Sequence, residues 1–385
     1  MNPLIRITIL VVAVVVVMTL PGCGSFFKPC NNCPPVQPPP HFVYTANAAG
    51  NPATVSALSA DATTGVLTTV AGSPFSTGSG SVAIARQLVS PRIYVANSLS
   101  GDISAFNVNL SSGALSKVAG SPFAAESGVD AMAIEADGQF LYAVSGNSAN
   151  LWIFSIDASG TLTPLSGTPV TIAAGIASSS IIIDASGMYV YVLGQNSSSS
   201  AIYGFSRNTS TGAVAPLSGF PVAVDGLGNK SAFDTSGAFL FVTGTNVFGT
   251  AGGIDVFTFN AGSGTLTLAG PAVQVGVDPA GIVMANGGHV YVPNTADATI
   301  SAFTFNFNTG ALSALSGSPF PSGGQGSING PLGIAANDAG NFVFVCNASN
   351  DISVFSVSSS GTLSPVAGSP FPDGGNAPSA MLVVE

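Results

Sequence analysis

The chain has 385 residues, room for two average domains or for one large β-architecture. Only 6% of them are charged and the formal net charge is −10 with no basic cluster, which speaks against a nucleic-acid partner. Gly (47) and Pro (26) are abundant, yet 46% of residues are apolar and fall in short β-branched and aromatic runs, so a packed core rather than a disordered chain is expected.

The first segment reads as a targeting signal. Arg6 supplies a positive start, and Ile7 to Leu20 is an uncharged apolar run of 14 residues, short for a membrane span and suited to the apolar region of a signal peptide. Leu20-Pro21-Gly22-Cys23 resembles a lipobox, with Cys23 as the lipid attachment site; a plain secretory signal or a lone membrane anchor is the alternative. Residues 1–22 are thus expected to be removed, leaving the body outside the cytoplasm, tied to a membrane by its N-terminal lipid or secreted. Residues 23–40 carry Cys30, Cys33 and Pro38-Pro39-Pro40 and read as an extended spacer. Cys30 and Cys33 read as a small tether disulfide or idle thiols. Cys346, within Phe342-Val-Phe-Val-Cys346, reads as a small buried hydrophobe.

From His41 onward one strand recurs seven times. Its aromatic anchors are Tyr44, Tyr94, Tyr142, Tyr191, Phe241, Tyr291 and Phe344, spaced 50, 48, 49, 50, 50 and 53 residues apart. Another strand follows in each copy, as in Ile103-Ser-Ala-Phe106 and Ile254-Asp-Val-Phe257, and then a turn marked by Gly65, Gly113, Gly160, Gly212, Gly264, Gly310 or Gly361. A third piece ends near Gly-Ser-Pro-Phe, for example Gly72 to Phe75, and an apolar strand such as Ala131-Met-Ala-Ile134 leads into the next copy. Four strands in each of seven copies give about 28 strands and no helix. One such unit cannot cover both its faces, so the copies must stack. A closed ring leaves fewer exposed edges than an open solenoid, and the fold class expected is all-β, a seven-bladed β-propeller over residues 41–385. The chain enters at a second strand, His41-Phe-Val-Tyr44, and leaves at Met381-Leu-Val-Val-Glu385, the innermost strand of that same blade, so the tail should close the ring on the first strand.

Tyr94-Val-Ala-Asn97, Tyr291-Val-Pro-Asn294, the Asp-x-Ser-Gly turns at Asp184 and Asp234 and the Gly-x-Leu turns resemble the bacterial lactonase-like, or YVTN, propellers, which include propeller-type 6-phosphogluconolactonases. The resemblance implies a lactone hydrolase, whose chemistry needs a base to activate water and donors for the oxyanion. It also implies a Pro-Arg-His pattern at the innermost strand, which is absent. Its places hold Val82-Ala83, Asp130-Ala131, Ser179-Ser180, Asn229-Lys230, Ala280-Gly281, Leu332-Gly333 and Ser379-Ala380, so no catalytic set carries over. His289 reads as a solvated residue beside a turn.

Propeller topology sorts the charges. Asp102, Glu126, Asp130, Asp225, Asp278, Asp297, Asp351 and Asp373 fall on the face of the blade-to-blade connections, opposed by Lys230 alone. Such an acidic mouth repels anions, which argues against a sugar phosphate and suits a neutral sugar, a basic partner or a divalent cation; the competing view is that these aspartates cap turns. Ligand-binding candidates are Asp130, Asp225, Lys230 and Asp278. No calcium-loop spacing is present and no cofactor is expected. The function expected is a binding or scaffold module for a small molecule, glycan or protein, with a lactone hydrolase as the alternative.

Overall fold

A computed structural model of the chain describes residues 41–246, 250–325 and 330–385. The expected signal segment 1–22 and the tether 23–40, with Cys23, Cys30 and Cys33, lie outside the described residues. Those residues form seven antiparallel sheets, one per repeat, plus a short 3-10 turn at Asn286–Gly288. The innermost strands of blades 1 to 7 are Pro378–Val384, Ser81–Gln87, Val129–Ile134, Ala177–Ile183, Leu227–Phe233, Val283–Ala285 and Pro331–Ala336.

The tail closes the ring as expected. Pro378–Val384 pairs antiparallel with His41–Asn47, Phe42 opposite Val384 and Thr45 opposite Met381. His41 Nδ1 lies 3.0 Å from Glu385 Oε1 at the end of this seam, and Ser379 Oγ donates to the carbonyls of Ala46 and Ser81, at 3.0 and 2.7 Å. Closure also shows in the core. Seven apolar clusters lie between neighbouring blades. One joins Val43 and Leu58 of blade 1 to Phe344, Ile352 and Val354 of blade 7. Each buried Leu or Phe in such a layer is worth about 1.5–3 kcal/mol, and no blade has such a layer without its neighbour.

The repeat motifs are the contacts between blades. The tyrosine hydroxyl of one blade donates to the hairpin glycine carbonyl of the next: Tyr44 to Gly113, Tyr94 to Gly160, Tyr142 to Gly212, Tyr191 to Gly264 and Tyr291 to Gly361, at 2.6–3.1 Å. Each hairpin glycine sits under a side chain two residues before that anchor. A Cβ on Gly212 would fall 2.4 Å from Phe140, and one on Gly113 2.3 Å from Phe42. His289 holds this position above Gly361 and is buried. The expectation of a solvated residue was therefore wrong: five other blades put an aromatic ring there, with Arg92 in blade 2, and the histidine substitutes for the ring in the layer.

Each sheet has five strands rather than the expected four. The outer strand is split in two, as in Leu67–Thr69 and Phe75–Ser76, both pairing with Thr54–Ala60. The cause is the Gly-Ser-Pro-Phe segment. Proline cannot donate to the ladder, and the chain loops outward before it rejoins the sheet. The preceding serine fills the gap, Ser73 Oγ accepting from Ala57 N at 2.8 Å and Ser369 Oγ from Val354 N at 2.9 Å. Cys346 is fully buried, and burial raises its thiol pKa far above normal.

Candidate functional site: the central channel

The innermost strands of blades 1 to 5 and 7, with Ala280 to Ile282 just before that of blade 6, face one axial cavity of about 300 Å³. Six of them shift register near its mouth, between Ser81 and Ala83, Val129 and Ala131, Ser178 and Ser180, Gly228 and Lys230, Pro331 and Gly333, and Ala380 and Pro378. A bulge re-aims side chains, and the bulged positions are the ones where the family pattern would place its arginine. Here they stitch neighbouring strands together: Ser179 Oγ donates to Gly228 O at 3.1 Å and Asn229 Nδ2 to Pro279 O at 2.8 Å.

Of the sequence candidates, Asp130 and Lys230 meet in this cavity, and among its described lining residues they are the one carboxylate and the one amine. They come from blades 3 and 5, with Ser179 of blade 4 between them; Lys230 Nζ donates to Ser179 O at 3.3 Å. Burial pushes the Asp130 carboxyl above its usual range, against the pull of the Lys230 charge and the Gly146 amide. Burial likewise pushes the Lys230 amine below its usual range, opposed by Asp130. The rest of the lining is serine, glycine and small or medium apolar side chains such as Ala83, Met132 and Ile334.

The other two candidates lie elsewhere. Asp225 borders a separate pocket in blade 5, where its amide donates to Asp255 Oδ2 at 2.7 Å. Asp278, at a positive φ of 57°, stands in the loop before the blade 6 inner strand and accepts Thr295 N on its carbonyl at 2.8 Å. Much of the acidic mouth is engaged in holding loops. Asp297 Oδ2 accepts Val277 N at 2.6 Å, Asp351 Oδ1 accepts Asn347 Nδ2 at 2.7 Å, and Glu126 Oε2 accepts Trp152 Nε1 at 2.8 Å. On the opposite face Asp184 and Asp234 cap their turns, accepting Tyr189 N and Phe239 N at 2.7 Å. Among the described residues no three His, Cys, Asp or Glu side chains gather as a metal ion would require.

Comparison with known families and structures identifies the ring. A family model for the lactonase, 7-bladed β-propeller, matches residues 54–225 and 239–370. The chain belongs to this lactonase family. No curated protein matches it by sequence. Solved structures share the fold. A Bacteroides uniformis protein provisionally described as a 6-phosphogluconolactonase superposes with a TM-score of 0.74 at 15% identity, covering 90% of this chain and 99% of that one. The Pseudomonas aeruginosa periplasmic gluconolactonase gives 0.68 at 16% identity, over 90% and 99% of the two chains. A functionally unknown protein of Desulfotomaculum acetoxidans gives 0.63 at 18%, over 88% and 98%. Within this lactonase propeller the sequence reading missed two buried acids. Glu135 is ion-paired with Arg207 at 3.3 Å, both side chains only 1% exposed. Asp255 stands where four other blades carry serine, a signal visible in the aligned strands.

Proposed function

We propose that this lactonase-family propeller is an extracytoplasmic, lipid-anchored protein that binds a neutral, hydroxyl-rich ring compound, such as a sugar lactone, in its central channel. The observation that carries the reading is the Asp130–Lys230 pair in a channel otherwise lined by hydroxyls and small apolar groups. Such a lining offers one acceptor and one donor to a polyol and apolar surface to a ring face, the usual composition of a small-molecule site. One amine and one carboxylate in the channel give no cationic cluster for a phosphate. The anchor rests on Leu20 to Cys23, and no cofactor or nucleic acid has a part.

The same pair favours a second reading, hydrolysis of the bound lactone, because two titratable groups with shifted pKa values converge on one cavity. Asp130 would take the proton of a water attacking the lactone carbonyl, and Lys230 would donate to the developing oxyanion. The ring C–O bond then breaks, and the proton held by Asp130 passes to the departing alkoxide.

The test is titration of the purified protein with D-glucono-1,5-lactone by calorimetry, with acid release followed in parallel. Saturable binding weakened at least tenfold by Lys230→Met, without turnover above the spontaneous rate, supports the binding reading. Turnover lost in Asp130→Asn supports the hydrolase. Neither binding nor turnover sinks both.

A further inference from the structure

Blade 5 breaks a polar motif that four other blades keep. In blades 1, 2, 6 and 7 the asparagine ending the second strand donates its side-chain amide to a serine on the third strand: Asn47 to Ser56, Asn97 to Ser104, Asn294 to Ser301 and Asn347 to Ser353, at 2.9–3.0 Å. In the register of blade 2, Asn97 faces Asp102 and Val95 faces Ser104. In blade 5, Gly244 faces Gly253 and Val242 faces Asp255. The donor has thus become Gly244, the serine has become Asp255, and the acid at the strand start has become Gly253.

A cavity of about 220 Å³ lies beside these positions, bordered by Gly244, Gly253, Asp225 and Asp255 and by no lysine or arginine among its described lining. Asp255 is 4% exposed. Its Oδ2 accepts the Asp225 amide, but its Oδ1 is buried without a hydrogen-bond partner. A buried carboxylate oxygen left unpaired is costly, and blades 1, 2, 6 and 7 meet the serine at the equivalent position with an N–H donor.

We infer that this pocket binds a small primary ammonium group, whose N–H donors replace the missing asparagine amide on Asp255. Two carboxylates, Asp225 and Asp255, select a cation over a neutral amide. Two side-chain ligands are few for a metal ion. At about 30 Å³ per water, the volume suits a short aliphatic chain behind the amine. Burial and the Asp225 charge push the Asp255 carboxyl above its usual range, and a bound cation relieves both effects. The site shares no lining residue with the channel, so it stands independently of the function proposed above.

The test is NMR or calorimetric titration of the purified protein at neutral pH with n-butylammonium, with n-butanol and calcium as comparison probes. Two variants are informative. Asp255→Ser installs the residue of the other blades. Gly253→Val fills the pocket, since a Cβ there makes only ordinary contacts, 3.6 Å to Ala272 and 3.7 Å to Val273. The expected result is saturable n-butylammonium binding, weakened at least tenfold in both variants, unchanged in Lys230→Met, with butanol inert. Absence of binding, equal binding by the variants, equal binding of butanol, or displacement of the amine by calcium would each overturn the proposal.

Discussion

Gly212 offers a direct test of how the blades lock together. Its φ is +74°, and a Cβ added there would lie 2.4 Å from Phe140 Cδ1 and 2.7 Å from Cε1. The Phe140 ring cannot swing away freely, because the buried Arg207 guanidinium lies 5.4 Å above it. Gly212→Ala therefore carries two penalties. Holding a non-glycine residue in the left-handed region costs about 1–2 kcal/mol, and forcing a methyl into a packed layer adds roughly 1–3 kcal/mol. Gly167 isolates the first penalty: its φ is +86° and nothing lies within 4 Å of an added Cβ. In guanidinium unfolding, Gly167→Ala should lose about 1–2 kcal/mol and Gly212→Ala about 2–5 kcal/mol. Equal losses would refute the idea that the glycine is required by the aromatic ring of the preceding blade.

Three further outcomes follow from the same contacts. Tyr191→Phe removes a 2.6 Å bond to the Gly264 carbonyl and should cost about 1–3 kcal/mol; Phe344→Tyr, which restores the hydroxyl facing Gly65 across the ring closure, should recover stability in the same unfolding assay. Asp373 joins the closing loop to Ser56 of blade 1, and burial pushes its pKa from 3.8 to about 6. The folded state then holds that proton more tightly, so this group's contribution is full below pH 4 and is lost as pH rises through about 6, roughly 3 kcal/mol in all. Unfolding midpoints across this range should fall less steeply in Asp373→Asn than in wild type, and parallel slopes would contradict this. Arg207→Met strands the buried Glu135 charge and should cost about 3–5 kcal/mol, with Glu135→Gln in the same chain restoring most of it.

The seven-fold fold was legible because its cause is local and repeated. Anchors such as Tyr94 and turn glycines such as Gly113 recur at one period, and the tail strand Met381 to Glu385 had one unfilled place to go. The channel positions were legible for the same reason: Asp130 and Lys230 occupy equivalent places of a repeated strand, so topology alone brought them to one axis. What was not legible depends on side-chain direction. Asp278 was sorted to the same face as Asp130, but Asp130 lies on an innermost strand, whereas the left-handed backbone of Asp278 sits in a loop and does not line the channel. The split of the outer strand turns on which amide Ser73 receives, and that is a tertiary fact. Asp255 looked like a strand residue, because its meaning lies in the loss of an asparagine at Gly244 on the neighbouring strand.

The central claim, that the ligand enters the axial channel between blades 3 and 5, is tested most directly by a crystal structure of the protein soaked in D-glucono-1,5-lactone. The account predicts a ring in the channel within hydrogen-bond reach of Asp130 and Lys230. A lactone bound on the outer surface or in the blade 5 pocket, with the channel holding only solvent, would contradict it.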